Sequence, residues 1–371
     1  IEVKMKVSDK AYRNAILNLR ECRDRVPILS SYPLKLYIEP TSVCNLQCSY
    51  CYPVDFRSNK TMGMDTFRAL EEQLFDHVCE VNLFLSGEPT LSKNFPEMLE
   101  ICSRYPFITK FFTNLSYDRD AILEKMVEAG AWVNVSFDGV NKNSFRNGID
   151  ELKVTRNLRY LVKYNESVKN KKFHLRIASV IGKHNVNSLN SIVTWVAMMG
   201  IKELMLGCMD TVGPLDKYKL TGEDAVLFEK AISRADLLGV RISTPSHIGG
   251  VKLERTHNWD AFTNDVDEFF PHFCEDCNPD VERQFCPYTW IQTVIEANGN
   301  VVSCCQKKVI LGQFHPGVDF IKDIWNNEQY QKIRSLENHS GCGSSNGNIC
   351  NMMTYSIWGG ERRLNNIPEI I

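Results

Sequence analysis

The sequence predicts an α/β fold: a (β/α)6 barrel, full or partial, with a small C-terminal β-hairpin plus helix extension. Three observations predict it. Short β-rich apolar runs alternate six times with longer segments of helical period, which argues for parallel strands joined by crossover helices. The first apolar run leads straight into a tight cluster of cysteines. A second cysteine-bearing stretch with a hairpin turn signal follows the sixth unit. With 371 residues and 43% apolar content, the chain has room for one large and one smaller domain and ample material for a core. The boundaries read as 1–33 for an N-terminal helical extension, 34–245 for the barrel and 246–371 for the C-terminal extension.

Taken in order, an amphipathic helix near Asp9–Cys22 comes first and is expected to cover an end or side of the barrel. The six strands fall at Leu36–Glu39, Val81–Leu85, Thr109–Thr113, Trp132–Phe137, His174–Val180 and Glu203–Gly207. Helices lie near Asp65–Val78, Phe95–Tyr105, Arg119–Ala129, Glu151–Tyr164, Ser188–Met199 and Gly222–Leu238. The hairpin pairs Ile291–Ala297 with Val301–Cys304 across Asn298-Gly299-Asn300, where Asn-Gly supplies a favoured turn. A helix is expected over Ile321–Leu336, and no internal repeat or low-complexity segment interrupts the pattern.

Charge and hydropathy exclude several functions. The formal net charge is −2, and the basic run Lys169-Asn170-Lys171-Lys172 is a short solvated turn, so the broad cationic face that nucleic acid requires is missing. The apolar stretch Ser191 to Ile201 is too short to span a bilayer, and no charged-then-apolar signal opens the chain. A cytoplasmic location without membrane attachment is expected. Fourteen cysteines then read as reduced thiols rather than as disulfides.

The chemistry gathers where parallel barrels place it, at the C-terminal ends of the strands. Cys44, Cys48 and Cys51 form a Cys-x3-Cys-x2-Cys triplet just after the first strand. Three thiolates at this spacing can ligate three irons of a [4Fe–4S] cluster and leave the fourth iron open, whereas a structural zinc site wants a fourth ligand close by. A zinc loop or a chance group of buried thiols is the plainer alternative. With Tyr50 immediately before Cys51, the run resembles the signature of the radical S-adenosylmethionine (SAM) superfamily. That resemblance implies a three-quarter barrel, a SAM-binding [4Fe–4S] cluster, SAM itself and a flavodoxin- or ferredoxin-type reductant. It also implies reductive cleavage of SAM to methionine and a 5′-deoxyadenosyl radical that abstracts hydrogen.

Other strand ends carry matching elements. Ser86-Gly87-Glu88-Pro89 resembles the family's Gly-Gly-Glu-Pro element; Gly87 permits close backbone approach, and Glu88 with nearby carbonyls accepts from the SAM ammonium. Ser136-Phe137-Asp138-Gly139 resembles its Ser-x-Asp-Gly segment, which implies SAM contacts by Ser136 and Asp138, a capped turn being the alternative. Arg176 meets the methionine carboxylate if it points inward and otherwise makes an exterior salt bridge. Asn114 is a further cofactor contact or a turn cap.

In the C-terminal extension, Cys286-x12-Gly299-x4-Cys304 resembles the opening of the SPASM or shorter twitch segment, which carries auxiliary iron–sulfur clusters. Cys342 and Cys350 would complete the ligands of one auxiliary [4Fe–4S] cluster. Cys274 and Cys277 compete for that role or bind zinc, and Cys305 competes with Cys304, although neighbours on a strand face opposite ways. Oxidation, epimerisation and cross-linking are all open to the substrate radical. Cys208 after strand six is a candidate hydrogen donor or a buried structural thiol; Asp210 is a candidate base or a loop cap. Cys22, Cys79 and Cys102 read as core. The stretch before strand one is short for a leader-peptide-binding domain, which favours a small-molecule or carbohydrate-type substrate. A peptide- or protein-modifying maturase is the alternative, and a non-catalytic electron-transfer scaffold, disfavoured by Gly87-Glu88-Pro89 and the barrel, is a third reading.

Overall fold

The computed structural model describes residues 7–51, 58–117, 120–139, 145–209, 213–254, 288–302, 304 and 309–335. The parallel core comprises β1 (Lys35–Ile38), β2 (Glu80–Asn82), β3 (Ile108–Thr113), β4 (Trp132–Ser136), β5 (His174–Ile181) and β6 (Glu203–Cys208), each paired with the next. Each lies where the sequence places it, although β2 leaves the ladder at Asn82, short of Leu85. A seventh parallel strand, β7 (Arg241–Ser243), extends the expected six and pairs with β6. A small antiparallel pair follows, β8 (His247–Ile248) with β9 (Val251–Lys252).

The helices are α1 (Asp9–Arg23), α2 (Met64–Leu74), α3 (Phe95–Ser103), α4 (Asp120–Glu128), α5 (Glu151–Val168), α6 (Leu189–Met198) and α7 (Ala225–Leu238). Local chemistry sets their ends. Ser8 caps α1 by accepting from the Ala11 amide, with Asp9 in the first turn and Arg20 and Arg23 in the last, as the helix dipole favours. Asp150 caps α5 through the Lys153 amide, and α5 stops at Lys169 in the left-handed conformation.

The C-terminal hairpin continues the core sheet. Its first strand, β10 (Gln292–Ile295), runs parallel to β1 on the side away from β2, in register from Lys35–Gln292 to Ile38–Ile295. Strands β11 (Asn300–Val302) and β12 (Ile310–Gln313) follow antiparallel, giving one ten-stranded sheet in the order β12-β11-β10-β1-β2-β3-β4-β5-β6-β7. The hairpin turn needs glycine: Gly299 has φ +87°, and a Cβ there would lie 2.5 Å from the Phe314 carbonyl oxygen.

The continuous helix expected over Ile321–Leu336 is instead a π-helical turn, Phe320–Trp325, and a separate helix. The break is chemical: the Asn327 side chain caps the second piece through the Tyr330 amide at 3.0 Å, and the Asn326 side chain bonds both the amide and the carbonyl of Leu29, each at 2.8 Å. With a short α8 (Tyr288–Ile291) before β10, that second piece is α9 (Glu328–Arg334).

The N-terminal extension is stitched to this C-terminal segment. Asn18 Nδ2 donates to the Trp290 carbonyl at 2.7 Å, Trp290 Nε1 to the Val26 carbonyl at 2.8 Å and Trp325 Nε1 to the Ser31 carbonyl at 3.0 Å. The buried Arg334 guanidinium stacks on Trp325 and Tyr330 and donates to the Thr289 and Trp325 carbonyls; burial pulls its pKa down to about 10.

The two faces of the parallel sheet differ. Leu36, Ile38, Val81, Phe111, Val133, Val135, Ile177, Leu204 and Leu206 are buried toward the helices, where Phe111 meets Phe95 of α3 edge-on at 5.1 Å. Each such burial is worth about 1.5–3 kcal/mol. The alternate residues face the barrel lumen. Its floor is charged: Lys110 Nζ lies 2.7 Å and Lys35 Nζ 4.0 Å from the Glu80 carboxylate, Arg241 pairs with Glu203, and Arg176 Nε donates to Asn134 Oδ1 at 2.7 Å. Burial alone would raise the Glu80 pKa, but Lys110 and Lys35 bring it down to about 2.

Candidate active site at the strand ends

The three thiols of Cys44, Cys48 and Cys51 lie half-buried in the loop that leaves β1. Backbone bonds anchor this loop across the barrel mouth, from the Gln47 amide to the Asn147 carbonyl at 2.9 Å and from the Ser49 amide to the Phe145 carbonyl at 2.8 Å. The Cys44 sulfur accepts from the Leu46 amide at 3.4 Å and from Asn114 Nδ2 at 4.0 Å. Burial pushes the Cys48 thiol up to about 11; Arg146 opposes this, while Cys51, Cys44 and Asp138 add to it. A metal that replaces the thiol proton therefore binds with proton release.

These donors fit an iron–sulfur cluster. Three thiols on one loop, with N–H groups directed at Cys44 sulfur, supply what three corner irons take. Among the described residues no three His, Cys, Asp or Glu side chains are grouped to hold one metal ion. A cubane makes no such demand, because each thiolate meets a different iron.

Three buried carboxylates shape the surroundings. At Gly87 an added Cβ would fall 2.1 Å from the Thr41 carbonyl oxygen and 2.8 Å from that of Val43, so only glycine lets this turn stack on the Cys loop. Next to it the Glu88 amide donates to the Val43 carbonyl at 2.9 Å. The Glu88 carboxylate accepts from Thr90 Oγ1 at 2.6 Å, Thr113 Oγ1 at 2.7 Å and the Asn114 amide at 2.6 Å, joining the β2 and β3 strand ends. Burial raises its pKa, and these bonds oppose the rise.

Glu39, at the end of β1, accepts from the Ser86 amide and hydroxyl at 3.0 and 2.5 Å and from the Ala297 amide at 3.0 Å. It thereby holds the β2 turn on one side and the hairpin on the other. Asp138 accepts from Tyr50 Oη at 2.6 Å, Arg146 Nη2 at 3.0 Å and the Val180 amide at 2.9 Å. The Arg146 guanidinium also lies over the Tyr50 ring, 5.4 Å from its centre. Burial would lower the Arg146 pKa, but Asp138 and Tyr50 raise it above its ordinary value.

Thus Tyr50, Ser86, Gly87, Glu88, Asn114 and Asp138 are brought together around the Cys loop, and Ser136 lies half-buried at the end of β4, opposite Ala178. Asn114 bridges to Asn45 Oδ1 at 2.8 Å. Arg176 points inward, in the charged floor and early in β5 rather than at its end. Cys208 alternates with Gly207, shares the face of Leu204 and Leu206 and packs on the apolar core, where burial pushes its thiol up to about 11. Cys304 is half-buried beyond β11. Asp210, Cys274, Cys277, Cys286, Cys305, Cys342 and Cys350 lie outside the described residues. Glu39 and Arg146 went unmarked in the sequence. Glu39 carries one usable signal, a carboxylate closing an apolar strand on the inward parity of Tyr37; Arg146 carries none.

A partial parallel barrel with a three-thiol loop at its first strand end defines a class of cluster-binding proteins. Residues 38–202 match the radical SAM superfamily, and 286–351 match SPASM, an iron–sulfur cluster-binding domain. Together the two matches cover more than half of the chain, which belongs to the radical SAM superfamily and carries a SPASM-type auxiliary cluster domain. Its cofactors are a SAM-binding [4Fe–4S] cluster, SAM and auxiliary iron–sulfur binding in the SPASM segment.

Among curated relatives, GTP 3′,8-cyclase of Mannheimia succiniciproducens is 24% identical over 267 residues, 67% of this chain and 73% of that protein. PqqA peptide cyclase of Bradyrhizobium diazoefficiens is 31% identical over 140 residues, 34% of this chain and 37% of that protein. Among solved structures, Streptococcus suis SuiB bound to precursor peptide SuiA superposes with a TM-score of 0.62 at 17% identity, covering 95% of this chain and 79% of that one, a likeness of fold. Among the described residues no helix is long and apolar enough to cross a membrane.

Proposed function

We propose that the chain is a radical SAM oxidoreductase that removes a hydrogen atom from a small molecule or a peptide side chain and completes a net oxidation. The reading is carried by the clamped loop of Cys44, Cys48 and Cys51 at the end of β1. When bound, the SAM-binding cluster and SAM supply a one-electron cleavage to methionine and a 5′-deoxyadenosyl radical, and one auxiliary cluster supplies an electron acceptor. Cys286, Cys304, Cys342 and Cys350 are the proposed ligands of that second cluster.

The chain's own residues do the positioning. The backbone carbonyls of the Gly87 turn would hold the SAM amino group, and Glu88, whose carboxylate is taken up by Thr90, Thr113 and Asn114, holds that turn in place. Ser136 and Asn114 would help to hold SAM, and the Asp138–Arg146–Tyr50 cluster fixes the far side of the Cys loop. The substrate loses one hydrogen atom to the adenosyl carbon, one proton to a base for which Asp210 is the candidate, and one electron. Oxidation is favoured over epimerisation because Cys208 packs on the core side of β6, away from the lumen. A flavodoxin- or ferredoxin-type protein is the proposed reductant in the cytoplasm. A peptide-modifying role is the second reading, supported by the likeness to PqqA peptide cyclase.

The test is anaerobic reconstitution with iron and sulfide, then dithionite and SAM, in wild type and in Cys44→Ala/Cys48→Ala/Cys51→Ala. The expected result is about eight irons per chain, a loss of about four in the variant, and 5′-deoxyadenosine only from wild type. Full iron loading without 5′-deoxyadenosine would overturn the reading.

A further inference from the structure

We propose that the outer side of the Cys loop, with the adjoining start of α5, is the docking surface for the electron donor, an acidic ferredoxin-type protein. The proposal rests on the radical SAM reading and adds where the reductant of that site binds and by what chemistry. The Cys loop faces solvent as well as the barrel mouth. Val43, 41% exposed, and Asn45, Gln47 and Ser49, also exposed, alternate with half-buried Cys44, buried Leu46 and half-buried Cys48. A protein lying on this strip touches the residues on either side of Cys44 and Cys48, a short way in for an electron.

The strip is continuous with its surroundings. The Gln47 amide donates to the carbonyl of exposed Asn147 at 2.9 Å, and Asn147 Nδ2 donates to Ser49 Oγ at 3.2 Å. A few residues on, Leu152 in the first turn of α5 is 84% exposed, a value no other large apolar side chain reaches among the described residues. At the opposite end the Ser42 amide donates to the Lys60 carbonyl at 3.0 Å and the Lys60 amide to Ser42 Oγ at 3.1 Å. Asn94, next to Lys93, donates to the Met62 carbonyl at 2.8 Å.

The charges of these segments favour an anionic partner. Lys60, Lys93 and Arg159 are exposed, and among the described residues none of the three pairs with a carboxylate. Arg159 follows Leu152 by seven residues, nearly two helical turns, so it lies on the same side of α5 and about 10 Å along it. Between them Lys153 pairs with Asp150 at 3.9 Å and Arg156 donates to Asn157 Oδ1 at 2.9 Å. Cations thus flank the strip on a chain whose net charge is −2. Two apolar points, Val43 and Leu152, inside a cationic rim make the small, charge-steered contact of a transient electron-transfer pair. One electron leaves the reduced cluster of the carrier and is taken up at the Cys loop; no atom or proton changes hands.

Isothermal titration calorimetry of the reconstituted protein with an oxidised plant-type [2Fe–2S] ferredoxin, without air and at low salt, tests this independently of turnover. Saturable binding is expected, weakened about tenfold by Lys60→Glu/Lys93→Glu/Arg159→Glu and about threefold by Leu152→Ser. At about 0.5 M salt, where charges are screened beyond roughly 4 Å, wild type and the triple variant should bind alike. An equal reversal elsewhere, Lys230→Glu/Lys322→Glu/Lys332→Glu at exposed positions, is expected to leave the affinity unchanged. Iron content and thermal melting check that each variant is folded; Lys93→Glu alone replaces the triple variant if it is not. No binding by wild type, binding indifferent to salt or to the triple variant, or equal weakening by the control would overturn the proposal. Tighter binding of a flavodoxin to the same face would overturn the choice of partner. Dithionite-driven 5′-deoxyadenosine formation by wild type is read separately, so failure of the radical SAM reading is distinguishable from failure of the docking surface.

Discussion

Glu80 in the lumen floor and Glu88 at the barrel mouth are both almost fully buried, at 3% and 2% exposure, yet their surroundings drive them in opposite directions. Glu80 faces two ammonium groups, and its pKa falls to about 2. Glu88 is held by two hydroxyls and backbone amides, all uncharged, and burial wins, raising its pKa. The floor pairs each carboxylate with cations and stabilises the barrel. The mouth uses a carboxylate as a multiple acceptor that fixes loop shape, at a standing electrostatic cost. Stability and function are thus supported by one residue type in two chemical settings.

The largest effect should come from the floor. Glu80→Gln leaves Lys110 buried without its carboxylate and is expected to cost about 3–5 kcal/mol in urea unfolding. At the mouth, Gly87→Ala forces a Cβ into the Thr41 carbonyl; the expected cost is about 3 kcal/mol, with loss of about four irons on reconstitution. Glu88→Gln replaces an acceptor oxygen with a donor beside the Asn114 amide or the threonine hydroxyls and should cost about 2 kcal/mol. If it cost as much as Glu80→Gln, the contrast between floor and mouth would collapse.

Acid and base sharpen the same contrast. The folded Glu80 value lies below its unfolded value of about 4.3, so its stabilisation is complete above that value and is lost as pH falls toward 2. The folded Glu88 value lies above its unfolded one, so its contribution is complete at low pH and is lost as pH rises through the folded value. Unfolding free energies of wild type and the two Gln variants across about pH 3 to 8 should therefore diverge with opposite slopes. The smallest effect is expected from Tyr50→Phe, which removes one hydroxyl from Asp138 and should cost about 1 kcal/mol, read as a lowered melting temperature.

The parallel core was legible because β1 to β6 are buried on the helix side, and such strands read as apolar runs between helical segments. β7 was not, since three residues opening on an exposed arginine carry no periodicity. The hairpin was visible from Asn298-Gly299, but its place beside β1 was not, because pairing of Lys35 with Gln292 is a long-range fact with no local mark. The break at Asn326-Asn327 was hidden in an otherwise helical pattern, although two adjacent asparagines before Glu328 are a capping signal. At the site, motif positions were legible and their partners were not. Asp138 stands in a readable segment, while Arg146, which neutralises it, stands in an unremarkable one.

The parallel pairing of β1 with β10 has a consequence for how the chain comes to be folded. During synthesis β1 appears early, and its second neighbour emerges only after some 250 further residues, roughly 10–50 s later at ordinary elongation rates. Until then one edge of β1 is an open template, and Asn18, Leu29 and Ser31 lack the C-terminal groups they bond. Nascent chains cut short before residue 288 would carry that open edge permanently. The Cys loop springs from this same strand, so its last scaffold, the Glu39 link to Ala297, closes only after all seven parallel strands β1 to β7 have been made.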